Sequence, residues 1–280
     1  MAFITIPQKL KAGGANSVKS FGAIWLLIEA PSALYEPIKD FFQSYDGYTL
    51  TISLLLVIVY AIYKSLPPKS VTFQLRETET NVTIKSGDLF DQTGVIAIPV
   101  NEYFDSQVDD THVHSKSIHG QFIKNVLNGD SNEFDKQVKA SLNGLTSETI
   151  LEKTSGKQRR FPLGTTATIS TNGKKFLPFA LAATDINNYE ASASMPQFTQ
   201  ALNGFWGNAR SKIGHDTLCI PLVGGGLSRT NIGTHDRLEL ILLSLLAQTR
   251  NSRVADQVNI VLFGQDKDDV DLNAVQKKWS

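Results

Sequence analysis

Hydrophobic positions change their pattern near residue 70. Upstream they come in runs; downstream they recur every second or every third to fourth residue. The run Tyr48 to Tyr63, YTLTISLLLVIVYAIY, carries no charge and is bounded by Asp46 and Lys64. As a helix it reaches about 24 Å, so it predicts a span whose tyrosines sit at the two interfaces of a hydrocarbon core of roughly 30 Å. An earlier run, Phe21 to Ile28, is interrupted by Glu29 and Pro31 before Ala33-Leu34-Tyr35. As a cleaved signal peptide it fits poorly, because cleavage after Ala33 puts Pro31 where a small residue belongs. Paired with the second run it makes a two-helix transmembrane hairpin. Glu29 then faces a bundle interior or water-filled path, or lies at the interface on a tilted helix.

Past the stiff Pro67-Pro68 pair the pattern becomes that of an α/β chain. Strand-like runs fall at 71–75, 81–85, 94–100, 165–170, 175–182, 217–223 and 257–264. Helical spacing holds over 118–127, 133–142, 195–213 and 235–249. The layout predicts a mixed sheet with helices on both faces. Residues 143–160 are polar and read as a connection, with a short helical turn at Glu148 to Lys153. The expected organisation is an anchor over residues 1–66 and a ligand-sensing domain over 71–280.

Charge and cysteine usage narrow the picture. With 27 basic and 27 acidic residues there is no long-range field to draw in nucleic acid, which is ranked low as a partner. The single cysteine, Cys219, excludes an internal disulfide and suits a reducing compartment. It lies in an apolar run without a cationic neighbour, as a buried structural thiol does. Residues 1–20 hold three lysines and no acid, Lys64 and Lys69 follow the second span, and Glu36, Asp40 and Asp46 lie between the two runs against Lys39. By the positive-inside rule both ends of the hairpin face the cytoplasm.

Three places in the second half carry chemistry. Asp88, in Gly87-Asp88-Leu89-Phe90, follows a strand, where a carboxylate accepts hydrogen bonds from an exocyclic amine or a ribose hydroxyl, or simply forms a turn. Asn101 follows the apolar strand Val95 to Val100, at the edge where open α/β sheets bind ligands, or equally forms a turn there. Gly224-Gly225-Gly226 follows an apolar strand; without Cβ atoms its backbone N–H groups can converge on phosphate oxygens, or the run is simply a flexible turn. It is neither a Walker loop nor a dinucleotide fingerprint. His112, His114 and His119 with Asp109 and Asp110 lack the spacing of a metal site and read as a polar, ligand-facing loop. Lys157-Gln158-Arg159-Arg160 reads most simply as a solvated connection, with phosphate contact as the second option.

Taken in order, Gly87-Asp88-Leu89-Phe90, Val95 to Asn101, Ser117-Ile118-His119-Gly120-Gln121, Gly164 to Thr168 and Ile220 to Gly226 resemble a macro domain. The resemblance is closest to the divergent macro domain carried on a two-helix membrane anchor by Thoeris anti-phage defence effectors. It implies a three-layer α/β/α macro-like fold with a mixed sheet, and a pocket for ADP-ribose or a derivative, with no cofactor. By position Asp88 matches the acid that binds the adenine amino group and Leu89 its backbone contact. Asn101 matches the asparagine near the distal ribose. Ser117, Ile118, His119, Gly120 and Gln121 replace the first phosphate loop, and Val223, Gly224, Gly225, Gly226 and Leu227 match the second. Phe263 supplies aromatic packing beside the ligand.

The first loop departs from the Asn-rich and Gly-rich form usual in hydrolases of this fold, so the expectation is a ligand-gated effector without a catalytic or metal site. The resemblance implies a signal made from NAD by a TIR-domain partner, histidine-ADP-ribose in the expected case. Binding would promote oligomerisation and disruption of the inner membrane, with Glu29 on the membrane path. A membrane-tethered ADP-ribosyl hydrolase or phosphatase, with Asn101 or Asp105 positioning water, and a constitutive membrane scaffold are the rivals.

Overall fold

The computed structural model describes residues 48, 51–52, 55–56, 58–60, 68–225, 230 and 232–280. The first apolar run, Glu29, Gly226 and Leu227 lie outside the described residues. The chain divides into two compact units, Met1–Pro68 and Lys69–Ser280. Of the second apolar run, Tyr48, Thr51, Ile52, Leu55, Leu56, Ile58, Val59 and Tyr60 are helical and exposed. Among the described residues, no helix is long and apolar enough to cross a membrane.

In the second unit, strands β1 (Ser70–Gln74), β2 (Asn81–Ser86), β3 (Val95–Asn101), β6 (Ile169–Thr171), β7 (Lys174–Thr184), β8 (Ala191–Ser192), β9 (Leu218–Pro221) and β10 (Gln257–Leu262) form one sheet, and β4 (Glu148–Thr149) and β5 (Arg159–Arg160) a separate hairpin. The order in the sheet is β1-β2-β10-β9-β3-β7-β6, with β8 also paired to β7. β2, β10, β9, β3 and β7 run parallel, while β1, β6 and β8 pair antiparallel at the margins. The predicted mixed sheet is therefore present.

Alternation along β3 shows how the sheet is buried on both faces. Val95 and Ala97 enter one apolar cluster, and Ile96, Ile98 and Val100 enter the other. The first cluster is covered by α3 (Met195–Ile213), α4 (Thr234–Asn251) and α6 (Leu272–Trp279). α3 starts where Ser194 and Gln197 form a capping box with Pro196 in the first turn. Its buried Trp206 donates from Nε1 to Ser244 Oγ of α4 at 2.9 Å, so the largest core side chain is also satisfied. The second cluster is covered by α2 (Ser131–Ser141) and by α1 (Ile118–Gln121), which widens into a π segment over Phe122–Val126.

Several elements differ from the sequence expectation. Glu148 and Thr149 pair with Arg160 and Arg159 in a hairpin, in place of the predicted helical turn over Glu148 to Lys153. The run 165–170 contributes only Ile169 onward to a ladder. Its earlier residues are held by single bonds, Ala167 N–H to Pro178 O and Ala180 N–H to Thr165 O, beside an isolated bridge from Thr166 to Phe179. Helices α5 (Asp266–Asp269) and α6 had no counterpart in the sequence pattern.

Candidate functional site

Two adjoining cavities lie at the carboxyl ends of the parallel strands, the edge at which open α/β sheets take ligands. One, of about 280 Å³, is lined by Asn101, His112, His114, His119 and Tyr189 among others. The other, of about 540 Å³, is lined by Ile118, Val223, Gly224, Gly225, Phe263 and Asp266 among others. Pro99, His114 and Ser117 belong to both, so the two form one cleft with Ser117 at its waist.

Asn101 is buried and locked. Its Oδ1 accepts from the N–H groups of Tyr103 (3.2 Å) and Asp105 (3.1 Å), and its Nδ2 donates to Asp105 Oδ2 at 3.0 Å. Asp105 also accepts from Lys153 Nζ at 3.2 Å and from the Lys157 N–H at 2.6 Å. Lys153 is fully buried, 4.6 Å from the centroid of the Tyr103 ring and 5.8 Å from that of Tyr189. A buried ammonium needs such surroundings, since an unpaired charge there would be very costly. Next to this group Glu102 is buried, and that burial pushes its carboxyl above the usual range against the pull of the Thr184 N–H and Arg160.

The first cavity is walled by imidazoles. His112 Nδ1 lies 2.8 Å from Asp109 Oδ2, and an ionised carboxylate only accepts, so the ring proton sits on Nδ1. Burial pushes the Asp109 carboxyl up, but bonds from the His112 N–H, its ring and the Thr111 N–H together hold it below the ordinary value. His119 is buried, its ring centroid 5.1 Å from that of Phe134, and burial pushes its imidazole down to about 3. It is therefore neutral at physiological pH. The Nε2 atoms of His112 and His119 are both buried without a hydrogen-bond partner among the described residues.

Ser117 caps α1, accepting from the Gly120 N–H at 2.9 Å and donating to His114 O at 2.7 Å. Gly120 is needed for packing: a Cβ there would stand 2.3 Å from His114 O. Gln121 is folded back, donating to Lys116 O at 2.9 Å. On the other side Leu222 N–H donates to Val261 O, and the chain turns at Gly224 with φ of 85° into the glycine loop. Phe263 is 68% exposed at the mouth of the second cavity.

Of the residues singled out in the sequence, Asn101, Ser117, Ile118, His119, Val223, Gly224, Gly225 and Phe263 are brought to the cleft. Gly120, Gln121, Asp88 and Leu89 line neither cavity. Asp88 is exposed and accepts from the Phe90 N–H at 2.8 Å, while Leu89 is buried in the second core cluster. The stretch is nonetheless adjacent, since the Gly87 N–H donates to Leu262 O, one residue before Phe263. Lys153, Tyr189 and Glu102 escaped the sequence reading. Their partners lie far away along the chain, and only Asp105, four residues after Asn101, gave a local signal.

The family described as "Thoeris protein ThsA, Macro domain" matches residues 82–263. A curated relative, Thoeris protein ThsA of Bacillus amyloliquefaciens (strain Y2), is 27% identical over 222 residues, 77% of this chain and 72% of the relative. Among solved structures, the Oceanobacillus iheyensis macrodomain with ADP is similar at 15% identity and a TM-score of 0.50, covering 75% of this chain and 95% of that one. At that identity the likeness establishes the fold alone. A mixed parallel sheet with its cleft at the strand ends, and a family match spanning most of that sheet, lead to one conclusion: the chain belongs to the Thoeris ThsA macro-domain family.

Proposed function

We propose that this chain is a membrane-anchored anti-phage effector that works as a ligand-gated sensor and has no enzymatic step. Its macro domain binds an ADP-ribose-derived signal, histidine-ADP-ribose, made by a TIR-domain partner. Binding drives self-association, and the assembled anchors breach the inner membrane and end the infection with the death of the cell. The macro domain lies on the cytoplasmic side, in keeping with the lysine distribution about the two apolar runs.

The observation that carries this proposal is the cleft itself. A glycine loop after a parallel strand, Ser117 at the waist and Asn101 at the far end stand along one groove in a chain of this family. The glycine loop suits a diphosphate. The imidazole-walled cavity offers room and hydrogen-bonding groups for what is attached beyond the distal ribose. Asn101, with its Oδ1 already accepting two backbone N–H groups, is better suited to shaping the cleft than to orienting a hydrolytic water. The exposed apolar helical residues from Ile52 to Val59 support a membrane role for the first unit. Gating requires the signal to bind the active assembly more tightly than the resting one, since equal affinity shifts nothing.

Calorimetric titration of the full-length chain in detergent with ADP-ribose and with histidine-ADP-ribose tests the sensor. The expected result is binding of both, tighter for the conjugate. Absence of binding by either ligand would remove the nucleotide pocket and leave the scaffold role.

A further inference from the structure

We infer that Arg237 is a positioning residue of the ligand site: from beneath the glycine loop it draws the carbonyls of Leu222 and Val223 to its own side and screens the charge of Asp266, which lines the site. This rests on the proposal that the loop receives the phosphates. Arg237 lies in the first turn of α4 and is 4% exposed. Its Nη1 donates to the carbonyl oxygens of Leu222 (3.3 Å) and Val223 (3.4 Å). Its Nη2 donates to Asp266 Oδ1 (2.7 Å) and Thr234 Oγ1 (3.1 Å). The side chain thus ties three segments, the end of β9, the start of α4 and the turn after β10.

The loop is moulded on this guanidinium. A Cβ at Gly225 would stand 2.5 Å from Arg237 Nη1, and a Cβ at Gly224 would stand 2.7 Å from Phe198 Cε2 and 3.2 Å from Arg237 Cδ. Glycines 224 and 225 are therefore needed where the backbone lies on Arg237, as well as for phosphate approach. A peptide whose carbonyl is drawn to one side presents the next N–H to the other. With the carbonyls of Leu222 and Val223 held underneath, the N–H groups of Val223 and Gly224 are turned away from Arg237, the arrangement an anion cradle needs. Arg237 Nε, meanwhile, is buried without a hydrogen-bond partner among the described residues. A planar fork that serves two carbonyls and a carboxylate at once is specific to arginine; lysine supplies the charge without the geometry.

Asp266 lines the second cavity, so its carboxylate stands where an anionic ligand would meet it. The pairing at 2.7 Å screens that charge. Removing Arg237 would both release the loop and expose an acid to the ligand, and the second effect is separable by substitution.

The test is a cycle on the full-length chain in detergent, titrated with ADP-ribose, comparing wild type, Arg237→Met, Arg237→Lys, Asp266→Asn and Arg237→Met with Asp266→Asn. The expected result is affinity about tenfold or more weaker for Arg237→Met. Arg237→Lys falls in between, and Asp266→Asn restores several-fold more affinity in the Arg237→Met background than it adds to wild type. Hydrogen exchange across Leu222–Gly225, measured without ligand, is expected to quicken in Arg237→Met. Wild-type affinity in Arg237→Met, or no recovery in the double variant, overturns the positioning role while leaving the sensor intact. Where wild type binds only histidine-ADP-ribose the cycle is run with that conjugate; if wild type binds neither ligand, the sensor falls and the positioning role falls with it, whatever the exchange result.

Discussion

Single atoms decide much of the first cavity. His119 is the clearest case, because its imidazole is neutral in the fold, with a pKa near 3, but protonates near 6.5 once unfolded. A group whose folded value is depressed contributes stability that is complete above the unfolded value and is lost as pH falls toward the folded one. Stability should therefore decline between about pH 6.5 and 3, by up to about 1.4 kcal/mol per pH unit from this residue. Denaturant titrations at pH 7 and pH 5 should show a shallower decline in His119→Phe, and equal slopes in the two proteins would rule the residue out. Gly120 is a steric counterpart. Its substitution by alanine puts a methyl 2.3 Å from a backbone oxygen that cannot move independently, at an expected cost of about 1–3 kcal/mol in denaturant midpoint analysis. A Gly120→Ala protein as stable as wild type would mean that the loop 112–117 yields freely.

Elements differ in what fixes them. The connection between β4 and β5 is held down by Lys153, buried on Asp105 between two tyrosines. Lys153→Met leaves Asp105 buried without its cation, and the expected loss is about 3–5 kcal/mol. Chemical denaturation would measure it, and a loss below 1 kcal/mol would show that the Lys157 N–H and Asn101 Nδ2 satisfy the carboxylate alone. This hairpin also shows where sequence legibility ends. α3 was readable from Met195 to Ile213 because its apolar residues recur every three to four positions and its start is capped locally. β3 and β9 were readable as apolar runs closed by a turn residue. Lys153 sits in a polar stretch and owes its burial to partners 36 to 50 residues away, which leaves no periodic trace. α6 has no clear sequence signal because Leu272, Val275 and Trp279 make too few repeats among amides and lysines. The cleft was legible wherever a strand end met a glycine or an asparagine, and illegible where it is walled by loops.

The whole chain joins a macro-domain unit to a segment with two apolar runs. In dye-loaded vesicles, the full-length protein should release its contents on addition of histidine-ADP-ribose and stay tight without it. Release that ignores the ligand, or none at all, would favour a scaffold. Within the second unit β1 is an edge strand, hydrogen-bonded to β2 and covered by α6, whose Gln276 donates to Thr72 O and whose Trp279 is buried. The backbone leaving Pro68 joins the sheet through that strand, with β2 and β10 standing between it and the glycine loop on β9. Tension applied at Pro68 would thus peel the sheet from its margin inward. A molecule bridging the tip of β2 and the tip of β9 would rivet the three strands along the way, making the domain mechanically stiffer against a pull applied at Pro68.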